Sequence, residues 1–463
     1  MIGWGVRASM VVVAAVALVV AFAAAQASRG NVRPRAVDAD AVVRLARVNV
    51  GPAGAQADRS TTGASLSASG RYVAFVSGAR DLVRDDTNHT RDVFVRDLRT
   101  SRTTRVSTSS TDAEGDGPSA KPSISSDGNI VVFPSSATNL VPGDRNELQD
   151  VFLRDRTRGI TERVSAGPLG EANGASLAAL VSADGRVVVF SSEASNLVYG
   201  DRNGALDVFV VDRATGTTTR VGSSADSDPW DRSEASSVDA RGRVVGFRSY
   251  AVGLVGHDSN GLADVFAYDR RARVTQRVNV STVGDEADAA TFRGMVSGNG
   301  RFVGFRSRAN NLVPYDTNDA LDVFVHDRLL GLTTRVSVSS SGVQANAAGL
   351  ARSFRGSMFM SRPFLSANGR YAAFTSRAAN LVADDTNGKS DVFVHDLWTG
   401  RTLRVSLTSS GLEANGDSFV SGISADGRVV AFTSLADNLV PGDTNGRRDV
   451  FVAWLRLAAS VRD

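Results

Sequence analysis

The sequence contains no cysteine, only four histidines and only two lysines, Lys121 and Lys389, in 463 residues. Without cysteine there are no disulfides, thiol nucleophiles, iron–sulfur clusters, thiolate zinc sites or lipid-anchored cysteines. Four histidines leave little room for a histidine-rich metal centre. The 52 basic residues are almost all arginine, and with 49 acidic ones the net charge is +3. Those arginines are dispersed among aspartates, whereas a nucleic-acid footprint needs a clustered basic face, so no nucleic-acid partner is expected. After the N-terminus no apolar run is long enough to cross a bilayer.

The N-terminus is a targeting segment. One positive charge in residues 1–7 precedes a continuously apolar stretch, residues 8–22, and then small residues around Ala25 and Ala27. That order of charge, apolar core and small-residue site is an export signal with cleavage after Ala25 or Ala27. An uncleaved membrane anchor is the alternative. Residues 1–27 are thus expected to be a signal peptide, 28–40 a linker, and 41–463 a folded domain outside the cytoplasm.

Self-similarity dominates that domain. One unit runs Ser424-Ala425-Asp426-Gly427-Arg428, then Asn438-Leu439-Val440, then Asp449-Val450-Phe451-Val452. Its glycine recurs as Gly70, Gly128, Gly185, Gly242, Gly300, Gly369 and Gly427, which makes seven copies. Each copy reads as four short strands, a to d. Strand b (186–191 in the third copy) and strand c (207–211) are continuous runs rich in Val and Phe, which suits burial on both faces. Strand d (218–221) alternates Thr and Arg with Val, the pattern of a half-exposed outer edge kept from mispairing by its charge. Four-stranded sheets repeated seven times around an axis predict an all-β, seven-bladed β-propeller.

The ends predict how the ring closes. Arg-Val precedes the next glycine by 22 residues in the copies, and Arg47-Val48 stands in the same register before Gly70. The seventh copy has lost its turn into strand d, so residues 42–50 are expected to supply that blade's outer strand. Arg462 in the C-terminal tail also falls at the strand-d spacing and is a competing donor of that edge.

The segments Ser-Ala-Asp-Gly-Arg, Asp-Val-Phe-Val-x-Asp and Thr-x-Arg-Val resemble the WD40-like PD40 repeat of TolB-type propellers. The resemblance covers about residues 42–453 and implies the fold, not a function. The chain offers no counterpart to the N-terminal α/β domain of TolB, so a role in that envelope complex is not carried over. PD40-type propellers also precede hydrolase domains, yet no Gly-x-Ser-x-Gly elbow with a downstream Asp and His is present.

The most regular polar motif is Asp-x-Asn-x-x-x-Asp between strands b and c. It comprises Asp86/Asn88/Asp92, Asp144/Asn146/Asp150, Asp201/Asn203/Asp207, Asp258/Asn260/Asp264, Asp316/Asn318/Asp322, Asp385/Asn387/Asp391 and Asp443/Asn445/Asp449. Oxygen ligands at alternate positions of a tight loop suit Ca²⁺, and the pattern resembles a shortened integrin-type calcium loop. Against calcium, the fifth position is never a carboxylate and the completing glutamate is missing from the loop. The competing reading is a turn in which Asp and Asn cap backbone N–H groups, and it is the one favoured here. No other cofactor is expected.

In an up-and-down blade the b–c loops and d–a crossovers emerge on one face, so binding is expected there. A ligand site should break the repeat, and three departures stand out. They are Asp228, Trp230 and Asp231 in the third crossover, Tyr250 and His257 in blade four, and Phe354 and Arg355 in an insertion of about eleven residues in the fifth crossover. His326 and His395 occupy one repeat position after strand c and read as edge residues. The sequence therefore predicts a secreted, monomeric, non-enzymatic propeller that binds protein or cell-surface glycan. The alternative is a hydrolase or lyase on carbohydrate or lactone, possible only if Asp228, Asp231, Glu234, His257 and Arg355 converge at one end of the channel.

Overall fold

Runs of Val and Phe with no helical period leave the chain nothing to form but strands buried on both sides. A computed structural model describes residues 42–222, 232–346 and 362–457. Within them seven four-stranded antiparallel sheets form the blades of a propeller. Blade one consists of Thr61–Leu66, Tyr72–Ser77, Asp92–Asp97 and Arg102–Arg105, as strands a to d. In blade three strands b, c and d run Val187–Ser192, Asp207–Asp212 and Thr217–Val221, within a residue of their expected limits. No helix among the described residues is long and apolar enough to cross a membrane.

Each blade is centred on one phenylalanine from strand b and one from strand c, paired across the ladder as Phe75↔Phe94 is in blade one. The seven ring pairs have centroids between 5.4 Å and 6.2 Å apart. Such pairs add about 0.5–1.5 kcal/mol each beyond the area they bury. The recurring glycine has a packing reason as well as a conformational one. Gly128 has φ 74°, and a Cβ there would lie 2.3 Å from the ring of Tyr72 at the start of blade one's strand b. Gly369 stands in the same relation to Phe302, at 2.1 Å. The a–b turn can therefore tuck against the preceding blade only as glycine.

The ring closes at its rim with the N-terminal strand Val42–Arg47, which pairs antiparallel with Asp449–Leu455 and completes blade seven. Val48 is fully buried, and its N–H donates to the Val450 carbonyl at 2.8 Å. Arg462, the competitor for this edge, lies outside the described residues.

A second closure runs around the axis through the a–b turns. The Ser126 N–H donates to the Ala183 carbonyl, Asp184 to Ala240, Ala240 to Gly298, Asn299 to Ala367, Ala367 to Ala425, and Ala425 to Ala68, at 2.8–3.1 Å. The hydroxyl of Ser69 donates to the Ser126 carbonyl at 2.5 Å and completes the belt. Every pair of adjacent blades is thus hydrogen-bonded near the axis.

Deleting residues 42–50 removes the outer strand of blade seven while sparing the axial belt. Thermal melting of the deletion protein by circular dichroism should show a Tm lowered by roughly 10 °C or more, since whole-strand loss exceeds any single contact. An unchanged Tm would contradict the latch.

Candidate functional site

The Asp-x-Asn-x-x-x-Asp loops are built from three elements: the b–c loop, strand d of the same blade and the crossover that follows. In blade four, Arg277 of strand d places Nη1 2.9 Å from Asp264 and 3.4 Å from Asp258, and Nη2 2.8 Å from Glu286 of the crossover. In blade two Arg163 lies 3.1 Å from Asp144, 3.4 Å from Asp150 and 2.8 Å from Glu171. Arg105, Arg220, Arg335, Arg404 and Arg47 hold the equivalent aspartates in the other blades. In six of the seven loops the N–H after the first aspartate donates to a Glu or Gln of the crossover, as Ser259 does to Glu286.

This corrects the reading of strand d as a solvated, charge-protected edge. The guanidinium-bearing side chains are only 5–15% exposed and point into the carboxylates. The aspartates, expected to cap backbone N–H groups, are instead counter-ions. Burial pushes the carboxyls of Asp92 and Asp391 up to about 6, against hydrogen bonds from Ser107 or Ser406, from the loop asparagine, and the pull of the arginine. Carboxylate oxygens of Asp86, Asp92 and Glu114 lie within 4.8 Å of one another, a spacing a cation could bridge, with Arg105 paired to all three.

The capping expectation fits the asparagines, and their geometry departs from that of a calcium-ligand set. Asn88, Asn146, Asn203, Asn260, Asn318, Asn387 and Asn445 each turn Oδ1, the atom a cation would need, onto the N–H two residues on, at 2.7–3.1 Å. The other end of the amide faces the carboxylate. Nδ2 of Asn88, Asn146, Asn260, Asn318, Asn387 and Asn445 donates to the last aspartate of its own loop, at 2.9–3.4 Å. The same six Nδ2 groups donate to a crossover carbonyl, as Asn146 does to Ala172 at 3.0 Å. A donor beside the carboxylate is the reverse of what a cation site presents, so these residues act as turn and crossover braces.

Of the repeat-breaking residues, Tyr250 and His257 are described and exposed. The Tyr250 hydroxyl accepts a bond from Arg248 at 3.0 Å, and that guanidinium sits 4.8 Å from the ring centroid. No hydrogen bond joins Tyr250 to His257. Asp228, Trp230, Asp231, Phe354 and Arg355 lie outside the described residues. Glu234 is engaged by Arg293 at 2.8 Å and Arg232 at 3.4 Å. Burial raises its carboxyl, but the two arginines outweigh this and hold it below the ordinary glutamate value.

Two exposed aromatics escaped sequence reasoning, Tyr199 (76% exposed) and Tyr315 (91%), both at b–c loop tips. The residue before each loop's first aspartate takes a left-handed backbone. It is Gly143, Gly200 and Gly442 in three loops and Asp85 and Asp384 in two, but His257 at φ 62° and Tyr315 at φ 59° in the others. Bulky residues cost roughly 1 kcal/mol there. Tyr and His where other copies use glycine or aspartate were the available signal.

The histidines of strand c also need correction. His326 and His395 lie inside Asp322–Asp327 and Asp391–Asp396, not at an edge, and both are buried. Each Nδ1 is 2.9 Å from a strand-d threonine hydroxyl, Thr333 or Thr402. Burial lowers both to about 4, so they are neutral at physiological pH.

No protein-family model matches the chain, and neither does any curated protein sequence. Among solved structures it is similar to TolB from Acinetobacter baumannii, with 16% identity and a TM-score of 0.39, covering 73% of this chain. This chain spans 64% of that TolB. It is also similar to an oligogalacturonate lyase from Vibrio parahaemolyticus, at 11% identity and TM-score 0.47 over 89% of this chain and 98% of the other. The β-propeller domain of the Trilobed protease from Pyrococcus furiosus matches at 9% identity and TM-score 0.48, over 85% and 95%. These likenesses concern the propeller fold alone.

Replacing Arg277 with Met should leave Asp258, Asp264 and Glu286 facing one another without a cation. Urea unfolding at pH 8 should show a loss of roughly 3 kcal/mol. The loss should shrink at pH 5, because protonation removes the repulsion that the arginine had cancelled. A pH-independent loss would mean the arginine acts by packing alone.

Proposed function

We propose that the chain is an exported, non-enzymatic binding or scaffold propeller that engages a protein or glycan through the face carrying its b–c loops and crossovers. The observation that carries this reading is the contrast on that face between neutralised carboxylates and free aromatics. The loop aspartates are paired within each blade by arginine. Tyr199, Tyr250, His257 and Tyr315 project from blades three to five on the same side. Aromatic side chains on a rigid scaffold bind at low entropic cost and stack on sugar rings or pack against protein. The hydrolase or lyase alternative has less support, since Glu234 is held ionised by Arg293 and Arg232 and is no general acid.

Replacing Tyr199 and Tyr315 together with Ala tests the face. Both are solvent-exposed, so the Tm should change by no more than about 1 °C. Binding to whatever ligand a glycan array or pull-down with the mature protein identifies should weaken roughly thirtyfold. Unaltered binding would move the site elsewhere.

We further propose that the arginines do in these loops what calcium does in integrin-type loops. Millimolar Ca²⁺ should then raise the Tm of the protein by less than about 2 °C. A rise of tens of degrees, reversed by chelator, would establish the loops as calcium sites.

A further inference from the structure

Strand a of each blade lines the axis, and most of its residues there are small or apolar, as Gly63, Ala178 and Val420 are. Blades two, five and six differ. Lys121, Arg293 and Arg362 each stand two residues before the strand-a residue that pairs with the middle of strand b, namely Ser123, Met295 and Phe364. Three cations therefore occupy one level of the inner wall.

They converge. Lys121 comes from blade two, yet its Nζ lies 5.9 Å from the ring centroid of Phe364 in blade six, nearly opposite in a ring of seven. The guanidinium of Arg362 lies 5.5 Å from the same ring. Lys121 packs beside Gly63, where a Cβ would come within 3.1 Å of the lysine Cβ, so its stem is fixed against the wall. Burial, then the charges of Arg362 and Arg293, push the Lys121 ammonium down to about 7. Burial and Arg293 likewise lower Arg362, to about 10. Among the described residues no carboxylate or other acceptor bonds to Lys121 or Arg362. Glu234 is bound to Arg293 and Arg232, which leaves the cluster well in excess of positive charge.

Like charges held together in a narrow channel destabilise the fold unless something neutralises them. We propose that the axial channel is a binding site for a compact polyanion, carboxylate- or phosphate-bearing, held between Lys121, Arg293 and Arg362 above the ring of Phe364. The two arginines supply forked donors for a planar carboxylate or a phosphate, and the lysine a point charge. This site is separate from the aromatic face and does not depend on it.

The test uses citrate and inorganic phosphate as probes, at constant ionic strength set with NaCl, on the full chain and on the variants Lys121→Met and Arg362→Gln. Either probe should raise the Tm of the parent protein saturably, and the probe with the larger shift identifies carboxylate or phosphate as the preferred group. Each variant should bind about tenfold more weakly by calorimetry. In probe-free buffer at pH 7, Lys121→Met should melt no lower than the parent, because it removes a repelled charge. At pH 8 binding should take up a proton, read from calorimetry in buffers of different ionisation enthalpy, since the anion restores charge to Lys121. A Tm response equal to that of NaCl, or equal in parent and variants, would overturn the proposal.

Discussion

A single blade of this protein cannot bury itself. Its strands b and c are apolar on both sides, so each sheet depends on two neighbours, and the neighbours of the first and last blades exist only if the ring closes. Closure is the constraint from which the rest follows. It is met at the rim by Val42–Arg47 on the edge of blade seven and at the axis by the belt of a–b turns. The latch reproduces the working parts of an internal strand d. Arg47 pairs with Asp443, Val48 is buried, and Asn49 Nδ2 donates to Asp449 at 2.5 Å as Asn279 does to Asp264 at 2.6 Å. An outer strand drawn from the other end of the chain therefore leaves no blade chemically distinct.

The arginine clamp explains how so many carboxylates survive among strands. Removing a guanidinium and two or three carboxylates from water is costly, and Coulomb attraction alone offsets it poorly. Here each group also has directional partners. The last aspartate of blade one accepts from Ser107 at 2.5 Å and from Asn88 at 3.0 Å, while the crossover glutamate accepts loop N–H groups. The clamp joins loop, outer strand and crossover, so it fixes the loop face by the same contacts that finish the blade. That rigidity is what a binding surface built on loops requires.

Much of this was legible in the sequence, for physical reasons. Glycine at the a–b turn is demanded by a close approach that recurs at every junction, so its spacing counts the blades. The latch was readable because Arg47-Val48 obeys the register of an internal strand d. The turn role of the asparagines was readable too, because Oδ1 reaches an N–H only two residues away. The clamp was not, because its parts lie far apart in the chain, as Asp207 and Asp201 lie 13 and 19 residues before Arg220. An arginine alternating with threonine has the pattern of an exposed edge. Period alone cannot say whether a long charged side chain points to water or folds back onto a loop. Tyr315 was missed for a different reason: its peculiarity is a backbone φ of 59°, visible only by setting the seven loops side by side.

The places where the seven copies agree and the places where they differ divide the side chains into two sets. Where the copies agree, polar groups are satisfied by one another: arginine by aspartate, asparagine by its own loop, and the turn glycine fits the preceding blade. Where they differ, groups are left over. Tyr199 and Tyr315 protrude from two loops that are otherwise ordinary. Lys121, Arg293 and Arg362 place charge on an inner wall that the other blades leave neutral. A repeat under selection for folding alone gains nothing from a cation facing like cations, or from tyrosine where glycine relaxes the backbone. Each departure costs stability locally, and the seven-fold framework around it is uniform enough to tolerate it. Function in such a ring is therefore sought at its asymmetries, one on the loop face over blades three to five and one on the axis between blades two, five and six.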